Sequence, residues 1–72
     1  MAHTSVTGYR ELSTEELALM NECKAVAITV GEIVKKVMDT HGVDQRWVAI
    51  GRTNLQQGFM ALIRSIAQPT TF

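Results

Sequence analysis

Apolar residues recur every three or four positions along two long segments of the chain, which is the spacing of an amphipathic helix. The first segment carries two apolar stripes. The second carries one stripe, interrupted near Gly51-Arg52, beside a mixed line. The pair His41-Gly42 separates the two segments and is a typical helix stop. Because the connection is short, the helices should pack side by side in opposite directions. The pattern predicts an all-α, antiparallel two-helix hairpin.

Both predicted helices begin with residues that satisfy the free N–H groups of a first turn. Ser13 and Glu16 have the spacing of a capping box, and Asp44 is a suitable N-cap for the second helix. Each cap also has apolar residues at the two positions of a hydrophobic staple. The staple pairs are Leu12 with Leu17 and Val43 with Val48.

These signals set the predicted boundaries of the elements. Helix 1 should run from about residue 14 to 40 and helix 2 from about 45 to 68, where Pro69 helps to end it. Residues 1–12 are predicted to form an irregular N-terminal arm, and residues 13–68 the hairpin domain.

The two stripes of helix 1 predict self-association. Leu17 and Leu19 lie about 200° apart on a helix with 3.6 residues per turn, so we expect the stripes on nearly opposite faces. Helix 2 can cover only one of them, and an apolar patch left in water usually marks an interface. We therefore expect a homo-oligomeric helical bundle. The stripes comprise Leu19, Cys23, Val26, Val30, Ile33 and Val37, and Leu17, Met20, Lys24, Ala27, Gly31, Val34 and Met38.

Composition limits the class of protein. A chain of 72 residues with one cysteine has no internal disulfide, and domains this small usually need an added source of stability such as oligomerisation. Seven basic and seven acidic residues cancel, which removes the charge footprint of a DNA or RNA binder. No run of about 18 apolar residues exists, so no membrane span is predicted. A single cysteine is typical of the cytoplasm.

No group of residues has the pattern of a catalytic site. His3 and His41 stand apart from any serine, cysteine or acid in a known arrangement. Cys23 lies in an apolar stripe and is expected to be a buried, inert thiol. Helix capping accounts for Asp39, His41 and Asp44, so no metal site is predicted. We predict a protein that is not an enzyme and that carries no cofactor.

Four polar or aromatic residues have two interpretations each. Lys24 interrupts an apolar stripe, and it either extends past its neighbours to solvent or meets an anion at an interface. Tyr9 either packs the arm onto a helix or stacks on a base. Arg64 is a solvated arginine or an interface salt bridge, and Trp47 is a packing anchor more than a ligand platform. From spacing alone, extension to solvent is favoured for Lys24, and packing of the arm onto a helix is favoured for Tyr9.

Three glycines fall inside the predicted helices, where each costs about 1 kcal/mol relative to alanine. Gly31, Gly51 and Gly58, together with Ala27, are small enough to let a helix or a ligand approach closely. Close helix packing is the favoured explanation, and ligand contact is the alternative.

The combination of these residues resembles a family of phage proteins. The pattern runs Gly8-Tyr9-Arg10-x-Leu12-Ser13-x-x-Glu16, then Lys24 in mid-helix, then Arg52-Thr53-x-Leu55-Gln56-x-Gly58-Phe59-Met60-x-Leu62-Ile63-Arg64-x-Ile66-Ala67. It is similar to the phage anti-CBASS cyclic-oligonucleotide sponges, whose hairpin domain is shared with related anti-Thoeris sponges. The resemblance covers roughly residues 8–68.

This resemblance implies a homo-hexamer that sequesters the cyclic nucleotide messengers of bacterial immunity without cleaving them. The family's dinucleotide pockets form between protomers, where a tyrosine stacks on a base and a lysine meets phosphate. Tyr9 and Lys24 match that pair by residue type, spacing and place in the helix, and Arg10 lies beside Tyr9. We therefore expect Tyr9, Lys24 and Arg10 to bind a cyclic dinucleotide.

Some members of the family have separate sites for cyclic trinucleotides, where an arginine near the end of helix 2 contacts phosphate. Arg64 fits that position here, and Met60, Gln57 and Thr53 are expected beside it from helical spacing. Val26 stands where a small polar residue is expected in this second site. That departure favours dinucleotide binding over trinucleotide binding.

The expected function is a phage anti-defence protein that binds cyclic dinucleotides, with cyclic trinucleotides as a second candidate ligand, in the cytoplasm of the infected bacterial host. Its expected partners are cyclic oligonucleotides and further copies of itself, and not DNA, RNA or a membrane. The alternative is a structural or adaptor helical oligomer that binds a protein partner through its apolar face. On that alternative, Tyr9 and Lys24 are packing residues.

Overall fold

The protein is a hairpin of two helices. The structure, a computed structural model, describes residues 11–68, so most of the predicted N-terminal arm lies outside the described residues. Helix α1 spans Thr14–Met38 and helix α2 spans Gln45–Ala67, joined by residues 39–44. The two helices pack against each other, and residues 11–68 contain no strand. The predicted all-α antiparallel hairpin is confirmed.

The start of α1 is fixed by the capping box that the sequence predicts. The backbone N–H of Glu16 donates to the Ser13 hydroxyl oxygen at 3.1 Å, and the backbone N–H of Ser13 donates to Glu16 Oε1 at 2.9 Å. Two N–H groups that a helix start leaves unpaired are thus satisfied. Of the staple pair, Leu12 is buried and Leu17 half-buried.

The start of α2 also follows the prediction. Asp44 Oδ1 accepts from the backbone N–H groups of Arg46 at 3.0 Å and Trp47 at 3.3 Å. The carboxylate also complements the positive end of the helix dipole. Val43 and Val48 are both half-buried, as members of a staple should be.

The turn between the helices is stabilised by a glycine and by a hydrogen bond from a side chain to the end of α1. Gly42 has a φ of 91°, a left-handed conformation that costs glycine little because it has no Cβ. The Gln45 side chain donates from Nε2 to the Met38 carbonyl oxygen at 3.1 Å and so satisfies an acceptor at the end of α1. His41 is exposed in this turn.

Both helices end slightly earlier than the sequence predicts. Helix α1 ends at Met38 rather than near Thr40, because the Thr40 N–H bonds to the Val37 carbonyl three residues back and leaves the α-helical pattern. Helix α2 ends at Ala67, where Gln68 takes a left-handed φ of 44°. Such differences of one or two residues are usual at helix ends.

The seam between the helices differs from the predicted arrangement of stripes. The half-buried residues of α1 that repeat along its length come from both stripes: Met20, Cys23, Ala27, Val30 and Val34. Averaged over their members, at 100° per residue, the stripes point only about 110° apart rather than to opposite faces. Helix α2 packs over the line between them, so each stripe is partly covered and partly exposed.

The hairpin is a single layer without an interior. The molecule measures 50 × 24 × 14 Å, and its smallest dimension is close to the diameter of one helix with its side chains. Within residues 11–68 only Leu12 and Ala67 are buried, at 7% and 4% exposure. Neither helix combines the length and apolar content that crossing a membrane requires. Packing inside one chain therefore removes little apolar surface from water.

Candidate ligand-binding surfaces

Lys24 lies at the edge of the seam and is exposed. Met20 and Ala27, one helical turn before and after it, are both half-buried against α2, whereas Lys24 is in solvent. No hydrogen bond or ion pair joins Lys24 to another residue in the described part of the chain. Lys24, which interrupts an apolar stripe in the sequence, is therefore a charged side chain beside the apolar seam. An anion from outside the hairpin can reach it.

An open groove runs along one side of the hairpin, between α1 and α2. Its volume is about 890 Å³, which is within the range of small-molecule sites. Most of its lining is apolar, with charged and polar residues at Lys35, Asp39, Arg52 and Gln56. The apolar lining residues are Ala27, Val30, Gly31, Val34, Met38, Leu55, Phe59, Met60 and Ile63.

Lys24 belongs to the same side of α1 as this groove. Gly31 and Lys35, which line the groove, lie within about 20° of Lys24 around the helix axis when each residue turns by 100°. Sequence reasoning did not single out Lys35 or Arg52 as site candidates. The spacing of eleven residues between Lys24 and Lys35, three helical turns, could have predicted that they lie on the same side of α1. That Arg52 lies on this side too depends on the register of the two helices, which the sequence does not give.

The four trinucleotide candidates share the outer face of α2. Thr53, Gln57, Met60 and Arg64 follow each other at spacings of four, three and four, and all are exposed. Met60, at 69% exposure, also lines the groove. The four side chains thus form one line on α2, on a different helix from Lys24. Val26, the residue that departs from the family pattern, is 50% exposed on α1.

The remaining candidates of the dinucleotide site, Tyr9 and Arg10, lie outside the described residues. Their expected placement beside Lys24 stays a prediction. Cys23 is half-buried in the seam, less covered than the buried thiol that the stripe predicts, because α2 shields only part of it. Trp47 is 65% exposed and so anchors no packing inside the hairpin.

The helical glycines have no close neighbours inside the chain. A Cβ added at Gly31, Gly51 or Gly58 would meet no atom within 4 Å apart from those of its own local backbone. Close helix packing, the favoured explanation from sequence, is therefore not found at these glycines between α1 and α2 of one chain, and packing against another molecule stays a prediction. Each glycine still costs about 1 kcal/mol of helix stability relative to alanine.

Comparison with known proteins identifies the family. The model of the Acb2/Tad1 hairpin domain matches residues 1–67 of the 72-residue chain. The chain belongs to the Acb2/Tad1 hairpin-domain family. A curated relative, Anti-CBASS protein 2 of Pseudomonas phage JBD67, is 31% identical to this chain in an alignment that covers 93% of this chain and 94% of the relative.

Membership of the Acb2/Tad1 hairpin family confirms the resemblance drawn from the sequence. The match includes the segment of Tyr9 and Arg10, all of α1 and α2, and both ends of the line from Thr53 to Arg64. The family assignment therefore extends over every candidate residue, although it does not assign a role to any of them.

Proposed function

We propose that this protein blocks CBASS-type immune signalling by binding and sequestering cyclic dinucleotide messengers without cleaving them. The observation that carries the proposal is the match of residues 1–67 to the Acb2/Tad1 hairpin domain, supported by the relative named Anti-CBASS protein 2. On this proposal the protein acts in the cytoplasm of the infected bacterium, where the messengers are made.

Lys24 is the proposed phosphate contact. It is exposed, it has no partner among residues 11–68, and it lies on the groove side of α1. An ammonium group without a partner among the described residues can form a charge-assisted hydrogen bond to a phosphate. Tyr9 would stack on a base and Arg10 would add a second cation, as the family resemblance implies.

The groove supports the same proposal through its charge and shape. Lys35 and Arg52 line it on α1 and α2 respectively, and Lys24 lies farther along α1 on the same side. A ligand with two phosphates and two bases matches cations spaced along an apolar surface. Asp39 also lines the groove, so the proposed phosphate positions lie toward Lys24 and Arg52, away from that carboxylate.

We propose a second, cyclic trinucleotide site on the outer face of α2. Its supporting observation is that Arg64, Met60, Gln57 and Thr53 form one exposed line. The line and Lys24 lie on different helices, and Met60 is the member of the line that also borders the groove. Both proposed sites gain further contacts where protomers meet, and we propose a homo-oligomer, a hexamer as in the family resemblance.

Titration calorimetry with cyclic di- and trinucleotides tests the proposal, with linear dinucleotides and mononucleotides as controls. Binding of a cyclic class, absent with its linear form, is expected. Ligand recovered after denaturing the complex should have its original mass. Recovery of hydrolysed product would contradict sequestration, and no binding to any nucleotide would favour the adaptor alternative, for which the exposed apolar residues would be the contact surface.

A further inference from the structure

Gly31 differs from the other two helical glycines because it lines the groove, whereas Gly51 and Gly58 do not. Gly31 is exposed, and a Cβ added there would meet no atom within 4 Å beyond its chain neighbours and the backbone of its own helix. Glycine destabilises a helix interior relative to alanine, yet no packing contact in the described part of the chain requires it here. The space above Gly31 is therefore open to a molecule from outside the chain.

Arg52 borders this space from the other helix. Gly31 lies seven residues before the end of α1 at Met38, and Arg52 lies seven residues after the start of α2 at Gln45. Because antiparallel α-helices have the same rise per residue, the two residues stand at nearly the same level of the hairpin, and both line the groove. The Arg52 side chain is exposed and forms no hydrogen bond or ion pair within residues 11–68. A guanidinium group thus lies across the groove from the missing side chain.

Lys24 and Ile28 lie next to the same space on α1. Lys24 is seven residues before Gly31, which is about 10 Å along the helix axis and about 20° around it. Ile28 is 65% exposed, belongs to neither apolar stripe, and is turned about 60° from Gly31 on the side away from the groove. A ligand lying over Gly31 would have one cation along α1, a second cation across the groove, and an apolar side chain at its outer edge.

The charges around Gly31 favour a small anionic ligand over a helix of another protein. Lys35, Asp39 and Arg52 line the same groove, whereas the core of a protein interface is depleted of charged residues. Among the lining residues Asp39 carries the one carboxylate, and it lies about two turns beyond Gly31 toward the end of α1. An anion is therefore attracted to the part of the groove between Lys24 and Arg52, and Gly31 lies in that part.

We infer that the ribose–phosphate ring of a cyclic dinucleotide crosses α1 at Gly31, with one phosphate at Lys24 and the other at Arg52. This inference rests on the proposed function and adds to it a residue that determines which ligands fit. Without a Cβ at Gly31, the backbone of α1 can come close to the ring. A ring closed through two phosphates has few ways to bend around an added side chain, so the fit at Gly31 is sensitive to a single methyl group.

Gly31→Ala tests the inference, because it should stabilise the hairpin and weaken binding. Alanine is the better helix former and its Cβ meets no atom within 4 Å, so the melting temperature by circular dichroism should rise by about 4 to 8 °C. Titration calorimetry uses cyclic di-AMP, cyclic di-GMP and cyclic GMP–AMP. For each of these that wild type binds, the dissociation constant should rise at least tenfold, as one added carbon does in a fitted site. Gly31→Leu should raise it further.

Gly58→Ala is the matched control. Gly58 is also an exposed glycine inside a helix, with no atom within 4 Å of an added Cβ, but it does not line the groove. Its replacement should raise the melting temperature by a similar amount and leave each dissociation constant within about a factor of two. Light scattering after size exclusion should give both variants the particle mass of wild type, which separates a lost ligand contact from a change in assembly.

Three results with a wild-type protein that binds would overturn the inference and leave the proposed function in place. The first is wild-type affinity in Gly31→Ala and Gly31→Leu. The second is a loss of affinity in Gly31→Ala that comes with a lower particle mass, since another copy of the protein would then occupy the space. The third is an equal loss in Gly31→Ala and Gly58→Ala. If wild type binds none of the three nucleotides, the proposed function fails and this inference fails with it.

Discussion

Replacing Lys24 by alanine separates ligand binding from folding. Lys24 is exposed and has no partner among residues 11–68, so its removal breaks no interaction of the described hairpin. Alanine is a slightly better helix former than lysine. The free energy of unfolding should therefore change by less than about 0.5 kcal/mol, as for other surface substitutions.

The effect on binding should be much larger. A hydrogen bond between a charged group and its partner contributes about 1.5 to 3 kcal/mol, and each 1.4 kcal/mol is a factor of ten in affinity. Loss of one such contact to phosphate predicts a dissociation constant about 10 to 150 times that of wild type for the preferred cyclic dinucleotide. Titration calorimetry on both proteins gives this ratio directly.

Lys36→Ala is the matched control. Lys36 is also an exposed lysine of α1, but it lies about 120° from Lys24 around the helix axis, away from the groove. Its removal lowers the net charge by the same amount and should leave affinity within about a factor of two, since exposed charges act weakly at a distance. Equal losses in Lys24→Ala and Lys36→Ala would refute a specific phosphate contact and leave only a general effect of charge.

Three further predictions concern single residues. Ser13→Ala removes one half of the capping box and should cost about 1 kcal/mol, lowering the melting temperature by roughly 4 to 8 °C in a circular dichroism melt; an unchanged melt would contradict the capping argument. Gly42→Ala places a residue with a Cβ at a φ of 91° and should lower the free energy of unfolding by about 1 to 2 kcal/mol in chemical denaturation. Ala49→Gly should lower it by about 1 kcal/mol, through helix propensity alone. Arg64→Ala should weaken cyclic trinucleotide binding more than tenfold in calorimetry while dinucleotide affinity stays at the wild-type value, and parallel losses for both ligands would show that the two sites are not separate.

The local parts of the fold were predictable because their causes lie within a few residues of each other. The capping box at Ser13, the Asp44 cap and the positive φ of Gly42 depend only on nearby groups, and all three are as the sequence predicts. The end of α1 was less predictable. The last N–H groups of a helix can bond to the carbonyl oxygen three or four residues back. Sequence spacing does not show which of the two patterns forms.

The relation between the helices was only partly predictable. Two apolar stripes on α1 were visible in the sequence, but which residues α2 would cover depended on how the helices rotate to pack. Helix α2 covers the line between the stripes, so Cys23 and Ala27, one from each stripe, are both half-buried. A pattern on one helix cannot specify this rotation, because it depends on the side chains of both.

The candidate site was also only partly predictable from the sequence. The isolation of Lys24 beside an apolar seam could be anticipated, since a single charge interrupted a regular stripe. The groove could not be anticipated, because Lys35 and Arg52 line it together only as a result of how α1 pairs with α2. The helical glycines were evident in the sequence, but no neighbour within 4 Å in the single chain accounts for them, so their role stays a prediction.

The absence of an interior in the hairpin has a consequence for how the protein survives in a cell. Only Leu12 and Ala67 are buried in the described segment, so in the proposed homo-oligomer much of the cooperativity of unfolding would come from contacts between copies. For such a protein dilution acts as a denaturant, and the melting temperature rises with protein concentration. The first copies made after infection would then be the ones most open to host proteases, and protection would increase as synthesis continues. An early, strong burst of expression would thus serve stability as well as dosage.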